Sequence, residues 1–142
     1  MSFDDVRDLY QEVILDHGRK PRHGHRLAAY DTSAKGDNPM CGDRVHVFFQ
    51  RNGARVAHES QGCAIMTASA DLMAQAVAGK TDVEIAALHA AFEEVVKTGK
   101  TNPALGELNA LAGVSEYRSR IRCATLPWSA LADALGEELH HG

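Results

Sequence analysis

The chain has 142 residues, 44% of them apolar and 24% charged, the size and mixture of one ordinary globular domain that needs no disulfide staples to hold a core. Its net charge of −4 and lack of any long basic run exclude a protein whose main partner is nucleic acid. No window approaches the ~18 apolar residues of a membrane span, and the acidic start Met1-Ser2-Phe3-Asp4-Asp5 is not a secretory signal, so the expectation is one cytoplasmic domain over residues 1–142 with no membrane or nucleic-acid partner.

The first element is a helix. Phe3, Val6, Leu9, Tyr10, Val13 and Ile14 recur at helical spacing, Asp4 and Asp5 suit the positive end of the helix dipole, and Gly18 and Pro21 mark the end. Arg19 to Arg26 is basic and rich in His and Gly, an exposed loop and a candidate docking surface. Leu27 to Ser33 reads as a first, irregular strand. Val45, Val47 and Phe49 alternate as in a half-buried strand, Asn52-Gly53 is a hairpin turn, and Arg55 to Ser60 returns antiparallel. The remainder is helical. Ala64 to Ala78 breaks at Gly79. Thr81 with Glu84 forms a capping box for a helix reaching about Val96. Asn102 to Leu111 holds one or two short helices around Gly106, and Ser115 to Ile121 and Pro127 to Leu139 are two further helices. Strands followed by a run of helices define an α+β fold: a small three-stranded antiparallel sheet packed by an N-terminal helix and several C-terminal helices.

Three cysteines cannot all pair within one chain, and in a reducing compartment they stay thiols unless they bind metal or do chemistry. Cys41 lies in Asn38-Pro39-Met40-Cys41-Gly42-Asp43, between two strands, where a bend brings the Cys41 thiolate and the Asp43 carboxylate toward one ion. Cys63 follows Gly62 at the start of a helix, whose free N–H groups favour a thiolate. Cys123 lies between two helical stretches, and Arg120 and Arg122 beside it favour its charged form. Taken singly, Cys41 reads as readily as part of a plain turn, Cys63 and Cys123 read first as buried structural thiols, and no C-x-x-C pair ties the three together. The histidines His17, His23, His25, His46 and His58 have no metal-ligand spacing and read as solvent-exposed or structurally bonded.

Together, Asn38 to Asp43, the run Gly62-Cys63-Ala64-Ile65-Met66-Thr67-Ala68-Ser69-Ala70, and Arg122-Cys123 resemble the three cysteine motifs of the IscU-like iron–sulfur assembly family. Leu9 to His17 followed by Lys20-Pro21-Arg22 is similar to that family as well. Within it the chain resembles the SufU branch. Arg122 stands where scaffold-type members carry histidine, a Leu-Pro-Pro-Val-Lys segment is missing, Gly99 to Gly113 looks like the branch's insertion, and Cys123 to Leu131 has its ending.

The resemblance implies a zinc ion held by Cys41, Asp43, Cys63 and Cys123. It also implies a sulfurtransferase-like role: a SufS-type cysteine desulfurase passes persulfide sulfur to Cys41, after a desulfurase histidine displaces that thiolate from zinc, and downstream SUF scaffold proteins receive the product. The alternative is a scaffold on which a [2Fe-2S] cluster is built and passed on. A purely structural zinc module accounts less well for Asp43, since such sites usually close with Cys or His. Arg120 and Arg122 are expected to offset the site's charge or hold the carboxylate.

Overall fold

The computed structural model describes residues 3–40 and 42–141, with the side chains of 10–40 and 42–136. In chain order the elements are α1 (Phe3–Arg19), β1 (Thr32–Asn38), β2 (Asp43–Gln50), β3 (Arg55–Gln61), α2 (Ala64–Val77), α3 (Asp82–Thr98), a 3₁₀ segment (Pro103–Glu116) and α4 (Arg118–His141). The strands make one antiparallel sheet in the order β1-β2-β3, so the α+β architecture is the expected one.

β2 is central and buried on both faces. Val45, Val47 and Phe49 point into the main core, as their alternation requires. Phe48 points the other way and is also fully buried. Its ring meets Tyr30 edge-on at 5.0 Å between centroids, and the Arg26 guanidinium lies 5.1 Å over it. That cover explains a correction. Residues 27–31 are irregular chain laid across the far face of the sheet, not the start of a strand.

Pairing in β1 begins at Thr32, opposite Phe49, and runs to Asn38, opposite Asp43. This strand has no apolar alternation to betray it, because an edge strand can be held by its backbone ladder alone. Gly36 lets α4 approach: a Cβ there would stand 3.0 Å from Leu126 Cδ1.

α2 is the central helix. Met66, Ala68, Ser69, Ala70, Asp71, Leu72, Met73, Ala74 and Val77 are all buried, the pattern of a helix enclosed on every side rather than amphipathic. It packs against α1, β3, α4 and the 3₁₀ segment. α3 starts on the expected capping box, with Glu84 N–H donating to Thr81 Oγ1 at 3.2 Å and Thr81 N–H to Glu84 Oε1 at 3.0 Å. The 3₁₀ segment runs past Leu111 to Glu116 and is broken at Gly106.

The two expected C-terminal helices, Ser115 to Ile121 and Pro127 to Leu139, are corrected to a single one. α4 runs continuously from Arg118 through Pro127. Proline inside a helix costs about 3 kcal/mol, which argues for a break there. Tertiary packing overrides that preference. Pro127 and Trp128 are buried, Trp128 stacks on Phe92 at 5.1 Å, and Ser69 Oγ donates to the Ala124 carbonyl in the same turn.

Candidate metal centre

Three elements deliver one carboxylate and two thiols to a common point. The β1–β2 hairpin closes on the pair Asn38–Asp43, so Asp43 is the first residue of β2 and sits directly below the hairpin tip. Its side chain is completely buried. The Asp43 Oδ1 atom accepts the backbone N–H of Cys63 at 3.0 Å. Gly62 makes that contact possible: a Cβ at this position would lie 2.3 Å from Asp43 Oδ1.

Cys63 is the N-cap of α2. Its backbone is extended (φ −74°, ψ 161°), and its sulfur accepts the Met66 N–H at 3.4 Å. A thiol here takes the N-cap place usually held by Ser or Asp and satisfies one of the free N–H groups of the helix start. The side chain is exposed. Cys63 Sγ lies 3.9 Å from Asp43 Oδ2.

Cys123 is buried, and it reaches the site from the second turn of α4, not from a loop between helices as its sequence context suggested. One ligand atom each from Asp43, Cys63 and Cys123 lie within 4.8 Å of one another. Cys41, the fourth residue expected here, lies outside the described residues. Its neighbours Met40 and Gly42 occupy the exposed hairpin tip above Asp43.

Close packing of the three groups makes ionisation of the buried thiol costly. Burial raises the Cys123 thiol far above its ordinary value, and its hydrogen bonds to Asp43 and Cys63 and the nearby negative charge of both push it the same way. The expected lowering by Arg120 and Arg122 is corrected. Both arginines are exposed while the thiol is buried, and among the described residues no ion pair or hydrogen bond links either to Asp43. The Arg120 guanidinium lies instead 4.5 Å over the Tyr117 ring.

The donor set fits a small tetrahedral cation. Oxygen and sulfur ligands about 2.0–2.3 Å from zinc stand roughly 3.3–3.8 Å apart, close to the 3.9 Å between Cys63 and Asp43. Two cysteines and an aspartate supply three donors of a four-ligand set that, with the thiols deprotonated, would suit zinc and equally iron–sulfur chemistry.

The histidines are not part of this cluster. His17 and His58 are buried around a carboxylate that sequence reading did not single out, Asp71 of α2. His17 Nδ1 is 2.6 Å from Asp71 Oδ2, and His58 Nε2 is 3.3 Å from Oδ1, which also accepts the His23 N–H at 2.8 Å. Burial works against ionisation of Asp71, but the bonds from His58, His17 and the backbone of His23 and Arg22 outweigh it and hold the carboxyl well below its usual range. The one available signal was Asp71 itself, a charged residue in an otherwise apolar helix. The Arg19 to Arg26 loop is largely exposed, but Arg22 pairs with Asp16 and Arg26 with Glu59, so its charge is partly spent locally.

A small α+β fold that gathers two cysteines and an aspartate at the meeting of a hairpin and two helix starts defines a domain class with a thiol-centred candidate metal site. The chain belongs to the family described as the NifU-like N terminal domain, which matches residues 9–124. It is 38% identical to a protein of Streptococcus pyogenes named iron-sulfur cluster assembly scaffold protein IscU, over 95% of this chain and 87% of that one. It is 37% identical to the zinc-dependent sulfurtransferase SufU of Bacillus subtilis, over 97% of both. Among solved structures it resembles a putative iron-sulfur cluster assembly scaffold protein for the SUF system from Fervidobacterium islandicum, with a TM-score of 0.80, 30% identity, and coverage of 91% of this chain and 98% of that one. No helix among the described residues is long and apolar enough to cross a membrane.

Proposed function

We propose that this chain is a zinc-dependent sulfur-transfer protein of iron–sulfur cluster assembly, with Cys41, Asp43, Cys63 and Cys123 as the zinc ligands and Cys41 as the sulfur acceptor. The observation that carries the reading is the convergence of Asp43, Cys63 and Cys123 from three separate elements. A zinc ion held there would keep the thiols deprotonated without redox chemistry of its own.

The protein's own residues supply the rest. Asp43, locked by the Cys63 N–H, anchors the floor of the site. Cys123 is fixed by α4 and shielded from solvent. Met40 and Gly42, the chain neighbours of Cys41, are exposed at the hairpin tip, a segment well placed to meet another protein. The transfer is an exchange of sulfane sulfur. The Cys41 thiolate attacks the terminal sulfur of a persulfide on a SufS-type cysteine desulfurase, a new S–S bond forms on Cys41, the donor's S–S bond breaks, and the donor cysteine leaves as thiolate. Sulfur then passes to downstream SUF scaffold proteins.

The second reading, a scaffold carrying a [2Fe-2S] cluster as cargo, draws on the same ligands and on the likeness to the Streptococcus pyogenes protein. Arg122, in place of a nitrogen ligand beside Cys123, favours transfer. Metal analysis with desulfurase turnover separates the two. One equivalent of zinc, no iron and strong stimulation of turnover is the expected result. Bound iron and sulfide without stimulation would establish the scaffold instead. Cys41→Ala is expected to abolish transfer while retaining part of the zinc.

A further inference from the structure

α4 begins against its own dipole. Arg118, Arg120 and Arg122 fall within its first five residues, no acidic side chain stands in its first turn, and all three arginines are exposed. The start of a helix is its positive end, where cations are disfavoured. Among the described residues none of the three has an ion-pair partner, whereas Arg22 and Arg26 do. Charge set against the local dipole with no ion-pair partner is a broken local rule, and such breaks concentrate at functional sites.

The position of this charge matters. Arg120 precedes Cys123 by one helical turn and Arg122 precedes it directly, so exposed positive charge sits on the same two turns of α4 that carry a buried residue of the candidate metal centre. Two large apolar side chains are exposed as well: Met40, 85% exposed in the hairpin tip three residues before Asp43, and Tyr117, 49% exposed beneath Arg120. Arginine beside aromatic and methionine side chains is the composition of a protein–protein contact. The chain as a whole carries a net charge of −4. An acidic partner is therefore repelled by the molecule at large and attracted by this basic helix start, which orients its approach.

We propose that Arg118, Arg120 and Arg122, with Met40 and Tyr117 as apolar anchors, dock an acidic surface of the protein that delivers sulfur to this site. The proposal rests on the sulfur-transfer reading. It separates the docking charge from the Arg19 to Arg26 loop and places it on α4.

Stopped-flow association of the zinc-loaded chain with a cysteine desulfurase, at low and high ionic strength, tests it. R118E/R122E is expected to slow association about tenfold or more at low salt, with the gap closing as salt screens the charges. R118K/R122K, which keeps the charge, is expected to retain most of the rate, and both variants keep the wild-type zinc content. Should R118E/R122E lose zinc, R118Q/R122Q reads the same charge with less perturbation. Equal rates at low salt, a loss independent of salt, or an equal loss in the lysine variant would each overturn the docking proposal. A wild-type chain that neither binds nor stimulates the desulfurase would instead overturn the sulfur-transfer reading, and this proposal with it.

Discussion

At the scale of single residues, the site depends on Gly62 as much as on its sulfur and oxygen donors. Asp43 and the Cys63 backbone meet only because nothing projects from the residue between strand and helix. Gly62→Ala is expected to displace the carboxylate, costing about 1–3 kcal/mol in stability and lowering bound zinc below one equivalent. Metal analysis and thermal unfolding check it, and wild-type zinc content would show that Asp43 is not a ligand. Cys63 and Asp43 were legible because each stands beside a glycine that announces a turn. The environment of Cys123 was not. Neighbouring arginines in sequence suggested an activated thiol, but on the helix Arg122 diverges from Cys123 by about 100° and Arg120 by about 60°, enough for both arginines to be exposed while the thiol is buried. Asp71 escaped notice for a related reason. A carboxylate in a buried helix has meaning only once His17 and His58 are brought to it from other elements.

At the scale of elements, strong local signals held and weak ones gave way to packing. The Thr81–Glu84 capping box formed as its spacing requires. Thr81→Ala is expected to cost about 1 kcal/mol, a fall in Tm of roughly 3–5 °C, and to leave zinc content and sulfur transfer unchanged, since α3 contributes nothing to the cluster. Calorimetry beside a transfer assay reads both. β1 and α4 show the opposite outcome. β1 is a polar edge strand whose register comes from β2, and its true span is invisible to hydrophobic patterning. α4 keeps Pro127 in its interior because Trp128, Leu131 and Ala134 bury the turns that follow. That continuity fixes Cys123, since a break before Pro127 would leave its turn free of the rest of the helix.

For the whole molecule, Asp71 is the point through which α1, the loop after it, β3 and α2 are tied together. Removing it strands buried imidazole and backbone N–H groups, and Asp71→Ala is expected to cost at least about 2 kcal/mol in urea unfolding at neutral pH. The same group makes stability depend on acid. Its carboxyl is lowered in the folded state, so the stabilisation is fully present above the ordinary carboxylate value near pH 4 and is lost as pH falls through the folded value. Asp71→Asn is expected to flatten that acid limb in urea melts taken across low pH, and an unchanged slope would assign acid sensitivity to other carboxylates. The sequence by itself determined the fold class, most helix starts and the hairpin, because these follow from periodicity and turn chemistry, while the candidate ligands came from the likeness of its three cysteine motifs to a known family. Only the tertiary structure decided that Asp43, Cys63 and Cys123 meet, that Asp71 is shared by two histidines, and that the arginines of α4 lie outside the metal centre and not in it. Contacts between residues far apart in the chain depend on how helices and sheet pack, and packing is a property of all the side chains at once.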